Sequence, residues 1–156
     1  MTELLTALML WISANTPYDT AGIPLPDVIE MTPVELTAEY YTDVPHLIPV
    51  QGVDSRVQAL YSPREGTHGR VYVLAAEWVE GADQDDDPYT NPAFREMVLH
   101  ELIHHLQFQT GVAETYLCPA QGETEAYAAG GLYLRQMHAP DPLPNRNFWA
   151  HVYSRC

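Results

Sequence analysis

The first fifteen residues carry apolar side chains at helical spacing. These apolar positions are Leu4, Leu5, Leu8, Trp11 and Ile12. Because the spacing places them on one face of an α-helix, the segment predicts an amphipathic helix packed on the domain. The run also has the length of a signal-peptide core, but it lacks a basic start and carries Glu3 instead, which favours the packed helix.

A second apolar stripe follows in the middle of the chain. Its members are four positions apart: Phe94, Val98, Leu102 and Leu106. Asn91 is a suitable helix cap, and Pro92 suits the first helical position. The stripe therefore predicts a helix that starts near Pro92 and runs to about Gln109, before Gly111 ends it.

Two apolar, β-prone segments precede this helix, at 56–62 (RVQALYS) and 70–78 (RVYVLAAEW). The turn-forming residues PREGTHG between them are long enough for a hairpin loop. Residues 15–35 are rich in Pro and turn formers, so an irregular connection is expected there. The pattern thus predicts an α+β fold with a small antiparallel sheet or hairpin.

The helix after the central stripe is expected to start near Pro119 and to continue to His138. Gly130 and Gly131 lie inside it and would let another backbone approach closely. The Pro-rich tail ends in a segment, 145–156, that predicts a short closing helix.

The chain is strongly acidic. It has 21 acidic residues and seven basic ones, all of them Arg, which gives a net charge of −14. This charge argues against nucleic acid and anionic membrane as partners, and no apolar run approaches the roughly 20 residues of a membrane span. The acidic loop 80–92 contains Asp85, Asp86 and Asp87, which could collect Ca²⁺. Their spacing matches no EF-hand loop, so a solvated loop is expected.

The central helix carries the sequence HELIHHLQ at residues 100–107. His100 and His104 are four positions apart, so their imidazoles lie on one helix face and can reach one ion. Glu101 is offset by one position and projects beside that ion, where it can deprotonate a metal-held water. This HExxH arrangement predicts a metal site with Glu101 as general base.

A catalytic zinc ion needs a third protein ligand. In the HExxHxxGxxH class it would lie six residues after the second histidine, but this chain has Gln107 and Thr110 at the Gly and His positions. The other route is a glutamate on the following helix, and GETEAY offers Glu123 and Glu125. These two point to different faces, so only one is expected to coordinate.

HELIHHLQ followed by ETEAY resembles the gluzincin branch of zinc metallopeptidases, the thermolysin-like class. Within it, the motifs are similar to those of small bacterial proteins with an HELxHHxQ helix and an ExEAY helix, over roughly residues 56–138 of this chain. In that family the ligand glutamate precedes a supporting polar residue by four positions. Glu123 with Tyr127 fits this register, whereas Glu125 with Ala129 does not; Tyr127 stands where the family often carries Asp.

The resemblance implies a single zincin-like metallopeptidase domain over residues 1–156. His100, His104 and Glu123 would hold one Zn²⁺ per chain, and Glu101 would activate water for hydrolysis of a peptide or protein substrate. A group that stabilises the oxyanion is also required. The candidates for it are Tyr127, Tyr133, His138 and His151.

Two other functions remain open. The same ligands could hold two helices together in a non-catalytic metalloprotein with a structural zinc site, or the motif could be coincidental in a binding or effector module. Of the neighbouring residues, His105 points elsewhere on the helix and is expected to form a hydrogen bond with a metal-ligating residue or with another helix rather than to bind the metal. Gln107 and Gln109 are expected to extend the polar side of the helix. Glu125 could pair with an arginine, with Arg95 and Arg135 as candidates.

The two cysteines, Cys118 and Cys156, are too few for a disulfide scaffold. They would pair if the C-terminus folds back beside residue 118, and this pairing would favour an oxidising compartment. Cys118 could instead serve as a zinc thiolate. The expected compartment is periplasmic or extracellular if an export signal has been removed, and cytoplasmic otherwise.

Overall fold

The computed structural model describes residues 1–84 and 86–156. The helices and strands, in chain order, are α1 (Thr2–Asn15), β1 (Asp27–Met31), α2 (Pro33–Tyr40), β2 (Ala59–Ser62), β3 (Arg70–Leu74), α3 (Pro92–Gln109), α4 (Glu123–Gln136) and α5 (Arg146–Tyr153). The predicted α+β class, with its N-terminal helix and small sheet, is confirmed. Of the aspartates considered for Ca²⁺, Asp85 lies outside the described residues.

The sheet has three strands in the order β1-β3-β2. β2 and β3 pair antiparallel, with Leu60 opposite Tyr72, and form the predicted hairpin. β1 pairs parallel to β3, with Ile29 opposite Tyr72, so the sheet is mixed rather than purely antiparallel. β1 lies in the stretch expected to be irregular. Its five residues carry little pattern of their own, and they become a strand because β3 offers them a partner.

α2 is a second element that the sequence analysis did not anticipate. Thr32 caps its start: the Thr32 hydroxyl accepts from the Glu35 backbone N–H, and the Glu35 carboxylate accepts from the Thr32 N–H at 2.9 Å. This capping box satisfies two backbone donors at once. The sequence TPVE carried this signal, because Pro33 follows the cap at the first helical position.

α3 runs through the centre of the core. All four residues of the predicted stripe have no exposed surface: Phe94, Val98, Leu102 and Leu106. α1 packs on the same core through most of its predicted apolar face: Leu4, Leu5, Leu8 and Ile12. Burial of these faces from water is the main force that holds the helices in place. None of the helices in the described part of the chain has the length and apolarity needed to cross a bilayer.

α4 packs along α3, and a buried ion pair that joins α3 to α5 lies against α4. Arg146, the first residue of α5, places Nη1 2.7 Å from Glu96 Oε1 of α3, and both residues are 8 % exposed. A side chain at Gly130 would overlap the Glu96 carboxylate, and one at Gly131 would come within 2.9 Å of Arg146 Cδ. The two glycines therefore make room for this ion pair, not for another backbone as expected from the sequence.

Candidate metal centre

His100 and His104 lie on successive turns of α3 and face Glu123 at the start of α4. His100 Nε2 is 3.1 Å from Glu123 Oε2, His104 Nε2 is 3.4 Å from Glu123 Oε1, and the two Nε2 atoms are 3.2 Å apart. The three ligand atoms all lie within 4.8 Å of one another. Two imidazole nitrogens and one carboxylate oxygen at this spacing could hold a metal ion.

The start of α4 decides which glutamate reaches the histidines. A 3₁₀ turn over Pro119–Gly122 leads into the helix, so Glu123 lies in its first turn, facing α3. Glu125 points away from the cluster and accepts hydrogen bonds from the hydroxyls of Tyr18 and Tyr116. The structure thus brings Glu123, and not Glu125, to the two histidines. Contrary to expectation, no arginine among the described residues forms an ion pair with Glu125.

The cluster is electrostatically suited to a cation. Burial lowers the pKa of His104, but the hydrogen bond with Glu123 and the charges of Glu101 and Glu123 outweigh it and raise the pKa to about 9. Burial raises the pKa of Glu123, but hydrogen bonds from both histidines outweigh it and lower the pKa to about 2. The carboxylate is therefore ionised across the neutral range, and positive charge is favoured beside it.

Glu101 differs from the other carboxylates around the cluster. It is 6 % exposed, and among the residues that the structure describes none donates a side-chain hydrogen bond to it. Burial raises the pKa of its carboxyl group, although the neighbouring His100 and His104 oppose the rise. Its oxygens are not among the fully buried, unpartnered polar atoms of the described residues, so the carboxylate is open to the space beside the cluster. Because it accepts no side-chain hydrogen bond there, a role in stability does not account for it.

Two cavities flank the cluster and meet at it. The cavity on the His100 side has a volume of about 480 Å³, and the cavity on the His104 side a volume of about 620 Å³. Ala59 of β2, Glu101 and Glu123 line both of them. The cluster therefore lies in a continuous groove, and the edge strand β2 contributes to the walls of both cavities.

The walls of the two cavities differ in chemistry. The His100 side is charged and aromatic, with Glu96, Tyr127, Arg146, Trp149 and Tyr153. The His104 side is largely apolar, with Leu60, Phe108, Ala113, Leu117 and Pro119. A chain that crossed the cluster would meet buried charged groups and aromatic rings on the His100 side and a more apolar wall on the His104 side.

Of the four candidates for the oxyanion-stabilising group, Tyr127 lines a cavity. Its ring lies 4.8 Å from the His100 ring, edge to face, and its hydroxyl pKa is raised by burial and by the charge of Glu123. The hydroxyl therefore keeps its proton at neutral pH. The other three line neither cavity: Tyr133 is buried in the core, and His138 and His151 are exposed on the surface.

Gln107 is the site residue that the sequence analysis missed. It is 2 % exposed, and its Oε1 lies 2.9 Å from His104 Nδ1. Its amide nitrogen donates to the Gly122 carbonyl oxygen at 2.9 Å and to Glu125 Oε2 at 3.1 Å. The spacing of three residues from His104 was a visible signal, because such residues are neighbours on a helix surface.

Two further expectations concern residues close to the cluster in sequence. His105 faces away from the cluster, as predicted, but its partners lie on a loop and a strand rather than on another helix: its Nε2 is 2.8 Å from the Pro24 carbonyl oxygen, and its Nδ1 is 3.2 Å from the Tyr61 hydroxyl. Cys118 and Cys156 form a disulfide, with Cα atoms 5.8 Å apart. Cys118 is therefore not a thiolate ligand.

No protein-family model, curated protein or solved structure matches the chain. The resemblance to gluzincins, which rests on the two helical motifs, stays a prediction. The site is consequently interpreted from its own geometry.

Proposed function

We propose that the protein is a zinc-dependent hydrolase of peptide bonds, of the gluzincin type, with one Zn²⁺ held by His100, His104 and Glu123. The observation that carries the proposal is the carboxylate of Glu101, a residue that is largely enclosed, accepts no side-chain hydrogen bond among the described residues and is open to the groove. It lines both cavities at the point where they meet, which is where a bond of an extended substrate would lie. A buried carboxylate with a raised pKa is suited to accept and return a proton.

The donor set fits zinc better than other common ions. Imidazole nitrogens suit zinc, whereas Mg²⁺ and Ca²⁺ prefer oxygen ligands. Structural zinc sites usually have four protein ligands, often cysteines, and catalytic ones have three and an open position. The described residues offer three ligands here, and both cysteines are used in a disulfide. The count favours a catalytic site over a structural one.

The chain's own groups account for the proton transfers. When bound, zinc supplies a Lewis acid that polarises a carbonyl and acidifies water. Glu101 accepts a proton from the attacking water at its carboxylate and returns it to the nitrogen of the leaving amine. The Tyr127 hydroxyl, which stays protonated because of burial and the charge of Glu123, is the donor proposed for the developing oxyanion.

The shape of the groove supports an extended peptide or protein as substrate. β2 is an edge strand of the sheet, so one of its edges is free to pair with an incoming chain. The two cavities would then receive side chains on either side of the scissile bond. The apolar lining beside His104 favours a large apolar side chain in that cavity.

The variant Glu101→Gln tests the proposal. We expect the zinc-loaded protein to cleave peptides in a mixed library, detected as new N-termini by mass spectrometry. Glu101→Gln should lower the rate by about 10²–10⁴-fold, the usual contribution of a general base, and keep its zinc. Glu77→Gln, an exposed site that lines neither cavity, is the matched control. Equal rates in Glu101→Gln and wild type, or zinc-loaded wild type without cleavage of any peptide, would contradict the proposal.

A further inference from the structure

The amide of Gln107 has a fixed orientation in the structure. Its nitrogen lies 2.9 Å from the Gly122 carbonyl oxygen and 3.1 Å from Glu125 Oε2. A carbonyl oxygen and a carboxylate oxygen accept hydrogen bonds, so the NH₂ end of the amide must face them. The oxygen end then faces His104 Nδ1 at 2.9 Å.

This orientation determines the tautomer of His104. Because Gln107 Oε1 can only accept, His104 Nδ1 must carry the hydrogen. The protonated ring also carries a hydrogen on Nε2, which faces Glu123 and His100; when that proton leaves, the lone pair of the neutral imidazole is on Nε2. A metal ion binds through that lone pair, and a hydrogen bond at the other ring nitrogen both fixes the ring and strengthens it as a ligand.

Two features hold Gln107 in place. The first is Gly122, whose carbonyl oxygen accepts from the amide and whose lack of a side chain leaves room for Gln107 Oε1. The second is Glu125, whose Oε2 also accepts from the hydroxyls of Tyr18 and Tyr116. Tyr18 follows α1 and Tyr116 follows α3, so the anchor joins separate segments of the fold. This role accounts for the second glutamate of GETE, which does not reach the metal cluster.

From these contacts we infer that Gln107 is a positioning residue: held by Glu125 and Gly122, it keeps His104 in the Nδ1–H form whose Nε2 binds the metal. The inference rests on the proposed metal site for its functional meaning. The hydrogen-bond relay itself belongs to the folded chain with or without an ion, so it is testable independently of hydrolysis.

The test compares Gln107→Leu with Gln109→Leu. Gln109 is two residues further along α3 and donates to the His68 carbonyl oxygen at 3.1 Å, so its substitution also removes one side-chain-to-backbone hydrogen bond. Zinc affinity is measured by competition with a chelator. Removal of a group that supports a metal ligand lowers affinity by about 10–100-fold, and we expect this loss in Gln107→Leu alone.

The second readout is the ¹⁵N NMR spectrum of His104 in the metal-free protein, at a pH where the imidazole is neutral. We expect wild type and Gln109→Leu to show a single Nδ1–H tautomer, and Gln107→Leu to show a mixture. An unchanged tautomer together with unchanged affinity in Gln107→Leu, or an equal loss of affinity in both variants, would overturn the inference.

Further variants cover the other outcomes. Glu125→Ala should weaken zinc binding by less than Gln107→Leu, since Gly122 still holds the amide. Where Gln107→Leu does not fold, Gln107→Met replaces the amide by an unbranched apolar side chain of similar length and should give the same mixture of tautomers; a single Nδ1–H tautomer in Gln107→Met would overturn the inference. If wild type binds no zinc, the proposed function fails, while the tautomer spectra still decide whether the relay exists.

Discussion

The two sides of the metal centre hold their histidines in different ways. On the His104 side, a neutral amide fixes the imidazole through a directional hydrogen bond. On the His100 side, the imidazole packs against the edge of Tyr127, whose ring stacks on Tyr153 of α5 with centroids 6.1 Å apart. The first arrangement depends on α3 and the start of α4. The second depends on how the C-terminal helix is docked.

The two halves of the site are therefore held in place by different parts of the fold. α5 is attached at its start by Arg146, which pairs with Glu96 and also binds Asp141 through two hydrogen bonds of 2.8 Å. Beyond its end, the disulfide joins Cys156 to Cys118. The His100-side cavity should therefore be sensitive to both attachments. The disulfide also reaches the His104-side cavity, which Cys118 lines, but the relay at His104 is held by α3 and Gly122 and should be less sensitive.

Breaking the Arg146 ion pair should have the largest effect on stability. Arg146→Met leaves the Glu96 carboxylate buried without its partner, which typically costs roughly 3–5 kcal/mol of unfolding free energy. Chemical denaturation of the variant measures this loss. The double variant Glu96→Gln/Arg146→Met should recover part of it, because the buried charge is gone. A loss below about 1 kcal/mol in Arg146→Met, the range of surface ion pairs, would contradict the comparison.

Removal of the disulfide should have the next largest effect. The two cysteines are 38 residues apart in sequence. Loss of such a cross-link typically lowers the unfolding free energy by roughly 2–4 kcal/mol, mainly because the unfolded chain gains conformational entropy. Cys118→Ser/Cys156→Ser measures the loss by denaturation. Hydrogen exchange in this variant should rise in α5 and stay low at His104 and Gln107. Equal protection loss on both sides of the centre would remove the distinction between them.

The pH dependence of zinc affinity tests the His104 half of this comparison. The pKa of His104 is raised from 6.5 to about 9 in the metal-free protein. Protonation of His104 therefore stabilises the folded, metal-free protein fully below pH 6.5, and this contribution to the folding free energy is lost as the pH rises through 9. Zinc must displace this proton, whereas Glu123 stays ionised throughout. Affinity should therefore rise about tenfold per pH unit between pH 6.5 and 9.

Calorimetry in two buffers of different ionisation enthalpy checks this prediction through the number of protons released. We expect close to one proton per zinc at pH 7.5. An affinity that does not change between pH 6.5 and 9, with no proton release, would contradict the assignment of His104 as a ligand paired to Glu123.

The elements predicted from the sequence are those set by local pattern. The stripe from Phe94 to Leu106 and the cap at Asn91 determine α3 without reference to the rest of the chain. β1 was missed because its pairing with β3 joins residues such as Asp27 and Arg70, which are far apart in sequence. α2 was missed although its capping box at Thr32 is a local signal.

The residues of the candidate site show the same difference between local signals and contacts that are distant in sequence. HExxH spacing identifies His100, Glu101 and His104, because all three lie within two turns of one helix. The choice of Glu123 over Glu125 needed the family register, and the structure brings Glu123 to the cluster. The contact of Gln107 with His104 had a local signal in their spacing, but the orientation of its amide was beyond the sequence, since it depends on the Gly122 carbonyl, 15 residues away. The Glu96–Arg146 pair, 50 residues apart, was equally hidden.

Elemental analysis of the gently purified protein tests the central claim most directly, with Glu123→Ala and Glu125→Ala measured beside the wild type. The account predicts about one zinc per chain in the wild type, its loss in Glu123→Ala and its retention in Glu125→Ala. A wild-type protein without zinc after the metal is added back and dialysed, or zinc lost in Glu125→Ala and kept in Glu123→Ala, would contradict it.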